Sequence, residues 1–135
     1  MTAFVDTNIL IEHLVGENPE TRSRSTALFA RVRMGELTIT MSATVIFETC
    51  WVLSRRYRVP RADIRDALTA IILLPGLSLE HREVVLESLD LWVKETPLSF
   101  ADCYHLLSAR HLGLTQIYTF DKKMNRLPGV TRVEP

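Results

Sequence analysis

Four acidic residues in this sequence have surroundings in which a carboxylate could serve a divalent cation. Asp6 directly follows the apolar run 3–5, and Asp121 directly follows the run 117–120, so each is expected at the carboxyl end of a strand. Glu48 lies within an amphipathic stretch whose residues three and four positions away include Val45, Trp51 and Val52, which puts it on or beside an apolar face. A carboxylate there needs a partner or a cation, because burying it unpaired costs several kcal/mol or leaves it protonated. Asp102 falls three residues after Ser99, the spacing of a capping box. Each acid also has a plain alternative. Asp6 and Asp121 can be N-cap or turn aspartates, Asp102 can be a cap, and Glu48 can be a rim residue whose stem packs while its head reaches water. Together the four suit magnesium or manganese, hard cations that take oxygen ligands, keep several waters and need only one or two direct carboxylates. Such an ion polarises a phosphodiester and activates water, so the chemistry requires no histidine or cysteine nucleophile.

Other chemistry-bearing residues form no comparable set. His13, His81, His105 and His111 stand at no recognisable spacing, although His105 follows Asp102 by about one helical turn. Cys50 and Cys103 make neither a C-x-x-C pair nor a zinc-spaced set, and are expected to be reduced, half-buried side chains. Trp51 and Trp92, at helical positions, read as core or dimer contacts in preference to base-stacking platforms. Sixteen Lys and Arg balance sixteen Asp and Glu, so the net field gives no argument for a polyanionic partner. Local clusters do occur: Arg22, Arg24, Arg31 and Arg33; Arg55, Arg56, Arg58 and Arg61; and Lys122, Lys123 and Arg126 after Asp121.

The elements that must position the acids alternate. Short apolar runs at 3–5, 37–41, 77–79 and 117–120, with a weaker one at 131–133, read as strands. Helical patterns fill the intervals. One begins after Asp6, one opens at Pro19-Glu20 and ends at Gly35, one is capped by Ser42 and runs to about Tyr57, and one follows Pro60 and stops at Pro75-Gly76. A further helix carries Val85, Leu89, Trp92 and Val93, and the last begins at Ser99 and ends at Gly113. Strands joined by helical connections of this length normally lie parallel, so the expected class is α/β, a three-layer α/β/α sandwich around a central parallel sheet. Ligand sites in such sheets form beyond the carboxyl ends of the strands. At 135 residues, 47% hydrophobic and 24% charged, the chain is expected to be one domain over 1–135, globular and not disordered. No basic start leads into a long apolar stretch and no apolar run approaches a membrane span, so the expectation is a cytoplasmic protein with no membrane partner.

The strings Phe4-Val5-Asp6-Thr7-Asn8-Ile9-Leu10, residues 42–53 with Glu48, Ser99-Phe100-Ala101-Asp102 and Thr119-Phe120-Asp121 resemble, in order and spacing, the successive acidic motifs of PIN domains. The resemblance covers nearly the whole chain and is closest to the VapC-type toxins of toxin-antitoxin pairs. It implies a magnesium- or manganese-dependent endoribonuclease, usually a homodimer, inhibited by an antitoxin encoded in a neighbouring gene. By the same resemblance Asp6 and Asp102 hold the metal most directly, and Glu48 and Asp121 complete the catalytic set. Asn8 and Thr119 match frequent polar positions beside the first and fourth acids and are candidate substrate contacts. The chain departs from many relatives after Asp121, where Lys122, Lys123 and Met124 stand in place of a further acid. Either a second metal site is weakened, or Lys122 and Lys123 act as phosphate contacts at the rim of the cleft.

Two other classes compete. A haloacid-dehalogenase-like phosphatase also ends its first strand in an aspartate, but needs a second acid two residues later, where this chain has Asn8 and so lacks the general acid. A non-catalytic module binding RNA or a protein partner would leave the acids as helix caps. A phospho-receiver domain is disfavoured, because Leu77-Ser78-Leu79-Glu80-His81 offers no phosphorylatable aspartate at the third strand.

Overall fold

The computed structural model describes residues 2–135, which form two compact units meeting in sequence between His81 and Arg82. The first unit contains β1 (Thr2–Phe4), α1 (Thr7–Val15), α2 (Pro19–Arg33), β2 (Thr38–Met41), α3 (Ala43–Arg55), α4 (Arg61–Ile72) and β3 (Leu77–Leu79). Its strands form one parallel sheet in the order β1-β2-β3, with Ala3 opposite Ile39 and Ile39 opposite Leu77. A pair of helices separates each strand from the next, as the alternating sequence pattern requires. The central strand buries Ile39 and Met41 together with Leu10, Phe29, Ile46, Leu53, Ile64, Leu68 and Ile72 from the four helices.

Local signals fix the helix ends. Asn18 accepts from the Glu20 and Thr21 amides through its side chain and Pro19 supplies the first helical residue of α2. That helix ends where Gly35 takes φ +77°, which lets the Glu36 amide reach the Arg31 carbonyl at 3.0 Å. Gly76 is required for a different reason. A Cβ there would lie 3.0 Å from Val32 and 3.1 Å from the Leu37 carbonyl, while its own carbonyl accepts from the Ile39 amide at 2.8 Å.

The second unit contains α5 (Arg82–Lys94), α6 (Phe100–His111), β4 (Gln116–Tyr118), a single 3-10 turn (Lys122–Met124) and β5 (Thr131–Val133). α5 and α6 pack through Trp92 against Phe100, edge to face at 6.1 Å, and through Glu87, which accepts from Arg110 at 3.1 Å and bonds His111 at 3.2 Å. β4 and β5 pair in parallel with Gln116 opposite Thr131. The α/β class with parallel pairing is therefore as the sequence indicates, and the pairing is distributed over a three-stranded and a two-stranded sheet. The weak strand pattern at 131–133 is a real strand. Cys50 and Cys103 are fully buried thiols, not half-buried ones. No helix among the described residues is long and apolar enough to cross a membrane.

Candidate metal and catalytic residues

Asp6 caps α1. β1 closes at Phe4, Val5 continues the ladder through its amide to the Thr40 carbonyl at 2.9 Å, and Asp6 then turns out of the sheet. One carboxylate oxygen, Oδ1, accepts from the Thr7 amide at 2.8 Å. No bond engages Oδ2 among the described residues, and the side chain is exposed. Asn8 follows, exposed, on the first turn of α1. Between them the Thr7 hydroxyl is buried without a hydrogen-bond partner, an unsatisfied polar group directly beside the first acid.

Glu48 corrects a sequence expectation. The buried residues of α3 are Val45, Ile46, Thr49, Cys50 and Leu53, whereas Thr44, Glu48, Trp51 and Arg55 share the opposite, exposed side. The carboxylate is thus in water, with no partner among the described residues, and not against an apolar face. The difference comes from Trp51, an apolar neighbour in sequence that does not join the core. Its indole is 63% exposed, while Trp92 is 3% exposed and does belong to the core.

Asp102 makes both halves of a capping box at the start of α6. Its Oδ2 accepts from the Ser99 amide at 3.0 Å, and the Ser99 hydroxyl accepts from the Asp102 amide at 3.1 Å. Its other oxygen is uncommitted among the described residues. Asp121 stands three residues beyond the end of β4, not directly after the strand, because Thr119 and Phe120 intervene as an extended connection. Thr119 still donates to the Val133 carbonyl at 3.0 Å, its hydroxyl accepts from the Asp121 amide at 3.0 Å, and its carbonyl accepts from Arg132 at 3.3 Å. Asp121 caps the 3-10 turn by accepting from the Lys123 amide at 3.0 Å, and its second oxygen lies 3.6 Å from Lys123 Nζ. Lys122 is exposed and makes no ion pair among the described residues.

Asp6, Asn8 and Glu48 thus belong to the first unit, and Asp102, Thr119, Asp121, Lys122 and Lys123 to the second. The short contacts join Thr119, Asp121 and Lys123, but among the described residues no group of three or more His, Cys, Asp or Glu side chains lies close enough to hold one metal ion. The donor chemistry of the individual acids nevertheless fits a hard cation. They offer carboxylate oxygens, and Asp6 and Asp102 each keep one oxygen available after capping.

Two titratable groups outside this set are perturbed. His13 is pushed below the ordinary histidine value by burial against α2 and then by Arg22 and Arg33; its Nδ1 bonds Thr26 at 2.9 Å and its ring lies 4.8 Å from that of Phe29. Partial burial raises the Glu87 carboxyl, but the hydrogen bonds and charges of His111 and Arg110 outweigh it and hold the group below its ordinary value. Sequence spacing showed neither contact. It also missed a groove of about 480 Å³ between α1 and α2, bordered by Asn8, Ile9, Glu12, Arg24 and Leu28.

Comparison with known proteins gives the chain a family. A family model described as PIN domain matches residues 3–130, across both units. A VapC ribonuclease of Aquifex aeolicus is 24% identical over 132 residues, covering 98% of this chain and 96% of that protein. Among solved structures, Mycobacterium tuberculosis VapC20, described as a sarcin-ricin-loop-cleaving toxin, aligns over 98% of this chain and 99% of its own at 22% identity, with a TM-score of 0.43.

Proposed function

This chain belongs to the PIN-domain family, and from that premise we propose that it is a VapC-type toxin, a divalent-metal-dependent endoribonuclease that hydrolyses RNA phosphodiester bonds. The observation that carries the reading is the state of the two aspartates at the first and third acidic motifs. Asp6 and Asp102 each give one oxygen to a helix N-terminus, which fixes the carboxylate, and keep the other available for a ligand. A carboxylate that only capped a helix would serve equally well as serine or asparagine. We assign Asp6 and Asp102 as the principal metal-holding residues, and Glu48 and Asp121 as the acids that complete the catalytic set. Bound magnesium or manganese would polarise the scissile phosphate and make water a competent nucleophile at neutral pH.

The remaining residues have roles that follow from their own bonds. Thr119 orients Asp121 by accepting a hydrogen bond from its amide, and Lys123, 3.6 Å from the second carboxylate oxygen, holds its direction. Lys122 and Lys123 supply phosphate contacts, with Lys122 the freer of the two. Asn8 supplies a neutral donor and acceptor two residues after Asp6. The groove between α1 and α2, apolar at Ile9 and Leu28 and charged at Glu12 and Arg24, suits an amphipathic segment of a cognate antitoxin. A cytoplasmic location and a homodimer complete the proposal; exposed Leu112 and Leu114, 74% and 53% accessible, offer apolar surface for self-association. The deciding experiment is RNA cleavage by purified protein with manganese, with excess chelator, and with Asp6→Asn or Asp102→Asn. Cleavage that persists in chelator or in both variants would refute the proposal.

A further inference from the structure

Trp51 presents an anomaly that the nuclease assignment does not use. The burial of α3 is complete on one side, yet its opposite side carries an indole that is 63% exposed. Trp51 is the only exposed large apolar side chain on this helix, and among the described residues no other ring or cation packs on its faces. Its neighbours on the exposed stripe are charged. Glu48 precedes it by three residues and Arg55 follows by four, about 4.5 Å and 6 Å away along the helix axis. Arg55, Arg56 and Arg58 are all exposed and lack an ion-pair partner among the described residues. An exposed indole beside a guanidinium with no ion-pair partner among the described residues presents a flat π face next to a positive charge. It matches the chemistry of single-stranded RNA, in which bases offer π faces and the backbone offers phosphates.

We propose that Trp51 is a base-stacking platform of the nuclease, taking an unpaired base of the substrate on its indole face while Arg55 meets a neighbouring phosphate and Glu48 faces the adjoining backbone. This assignment rests on the reading of the chain as a ribonuclease with Glu48 in its site, and it adds a contact that selects single-stranded over duplex substrate. The helix supplies the geometry without any conformational change, because all three side chains occupy one stripe of a rigid element.

The two tryptophans differ enough in exposure for fluorescence to isolate Trp51, since Trp92 is buried. In an Asp6→Asn background, used to prevent cleavage, an unlabelled eight-nucleotide single-stranded RNA of mixed sequence should quench the exposed tryptophan and shield it from acrylamide. A duplex of the same sequence should do neither. Trp51→Ala should weaken binding of the single strand by about 5- to 150-fold with an unchanged salt slope, and Trp51→Phe should recover part of that loss. Arg55→Gln should instead reduce the slope of log affinity against log salt by about 0.7. If the single strand binds Trp51→Ala as it binds the parent, the stacking assignment is overturned; a concurrent shift from dimer to monomer in sedimentation would identify Trp51 as a contact between copies. If the otherwise unmodified protein neither cleaves nor binds RNA, the ribonuclease reading itself fails, and the stacking proposal with it.

Discussion

Asp102 is the acid whose structural and catalytic duties can be separated most cleanly, because its capping box has a second member with no proposed chemical role. Ser99→Ala removes the acceptor of the Asp102 amide, the 3.1 Å half of the box, and leaves the carboxylate in place. Loss of an N-cap hydroxyl costs about 1 kcal/mol, within a range of about 0.5–2. For a chain of this size that is roughly a 3–5 °C fall in melting temperature. Asp102→Asn has the reverse profile. The amide oxygen can still accept from the Ser99 amide, as Oδ2 does at 3.0 Å, so only the charge at the helix N-terminus is lost. That term is about 0.3–1 kcal/mol, towards the lower end for a half-exposed group. Activity should invert the order. Ser99→Ala should cleave a fluorescent RNA within a few-fold of the parent, whereas Asp102→Asn should lose about 100-fold or more, the scale for removing a preorganised electrostatic group. Thermal melts and initial rates on the same preparations provide the comparison. Two variants with equal melting shifts and equal, near-parental rates would show that Asp102 is a cap and nothing more.

Four further outcomes follow. Manganese should raise the melting temperature of the unmodified protein by the equivalent of about 2.7 kcal/mol at a hundredfold excess over Kd, and less in Asp6→Asn; equal gains would remove Asp6 from the metal site. His13 has a folded pKa below its unfolded value of 6.5, so its stabilising contribution is present above pH 6.5 and is lost as pH falls through the folded pKa. His13→Gln should therefore melt with a weaker pH dependence below 6.5, and an unchanged profile would contradict the burial of that ring. Glu87 is likewise depressed, so its contribution is present above about pH 4.5 and lost in acid; Glu87→Gln should blunt the acid sensitivity in low salt by a small margin, because the pair with Arg110 is about half exposed. Co-expression with the adjacent small gene should restore growth, and Arg24→Glu in the α1–α2 groove should weaken the purified complex, as read by gel filtration; a complex indifferent to that charge reversal would place the antitoxin elsewhere.

The elements were legible where a local rule specifies them. Ser99 and Asp102 announce their box, Asn18-Pro19 opens α2, and Gly35 and Gly113 close helices at positive φ, because capping depends on residues within one turn. The aspartates were legible for the same reason, each lying at an element boundary. Glu48 read as lying on or beside an apolar face because Trp51 counts as an apolar neighbour in sequence, whereas its indole turns outward on the same exposed stripe. The phase of Val45, Thr49 and Leu53, four residues apart and all buried, would have oriented the helix correctly. Strand partners were beyond reach in principle. The β4–β5 pair depends on non-local register, which short apolar runs do not encode. The partnership of Asp121 with Lys123 was hidden for a smaller reason. Adjacent lysines read equally well as solvent-facing charge, and only the 3-10 turn brings one of them back onto the carboxylate.

The parallel sheet of the first unit also sets an order of events during synthesis. Thr2 meets Thr38 across 36 residues and Thr40 meets the Ser78 carbonyl across 38, so neither of its ladders can begin as a hairpin. Gln116 and Thr131, by contrast, enclose about 15 residues. The closure entropy differs by roughly 0.8 kcal/mol between loops of those lengths, and folding slows as contacts become less local. β1 therefore precedes its partner in synthesis and waits, its backbone groups unpaired, until the chain through Met41 has followed it. Helices α1 and α2 need no distant partner for their own hydrogen bonds, but at 9 and 15 residues they gain their stability from packing on one another and on the sheet. A pause in translation within residues 5–37 would lengthen the time for which the backbone groups of β1 lack their partner strand, leaving it open to mispairing with other chains.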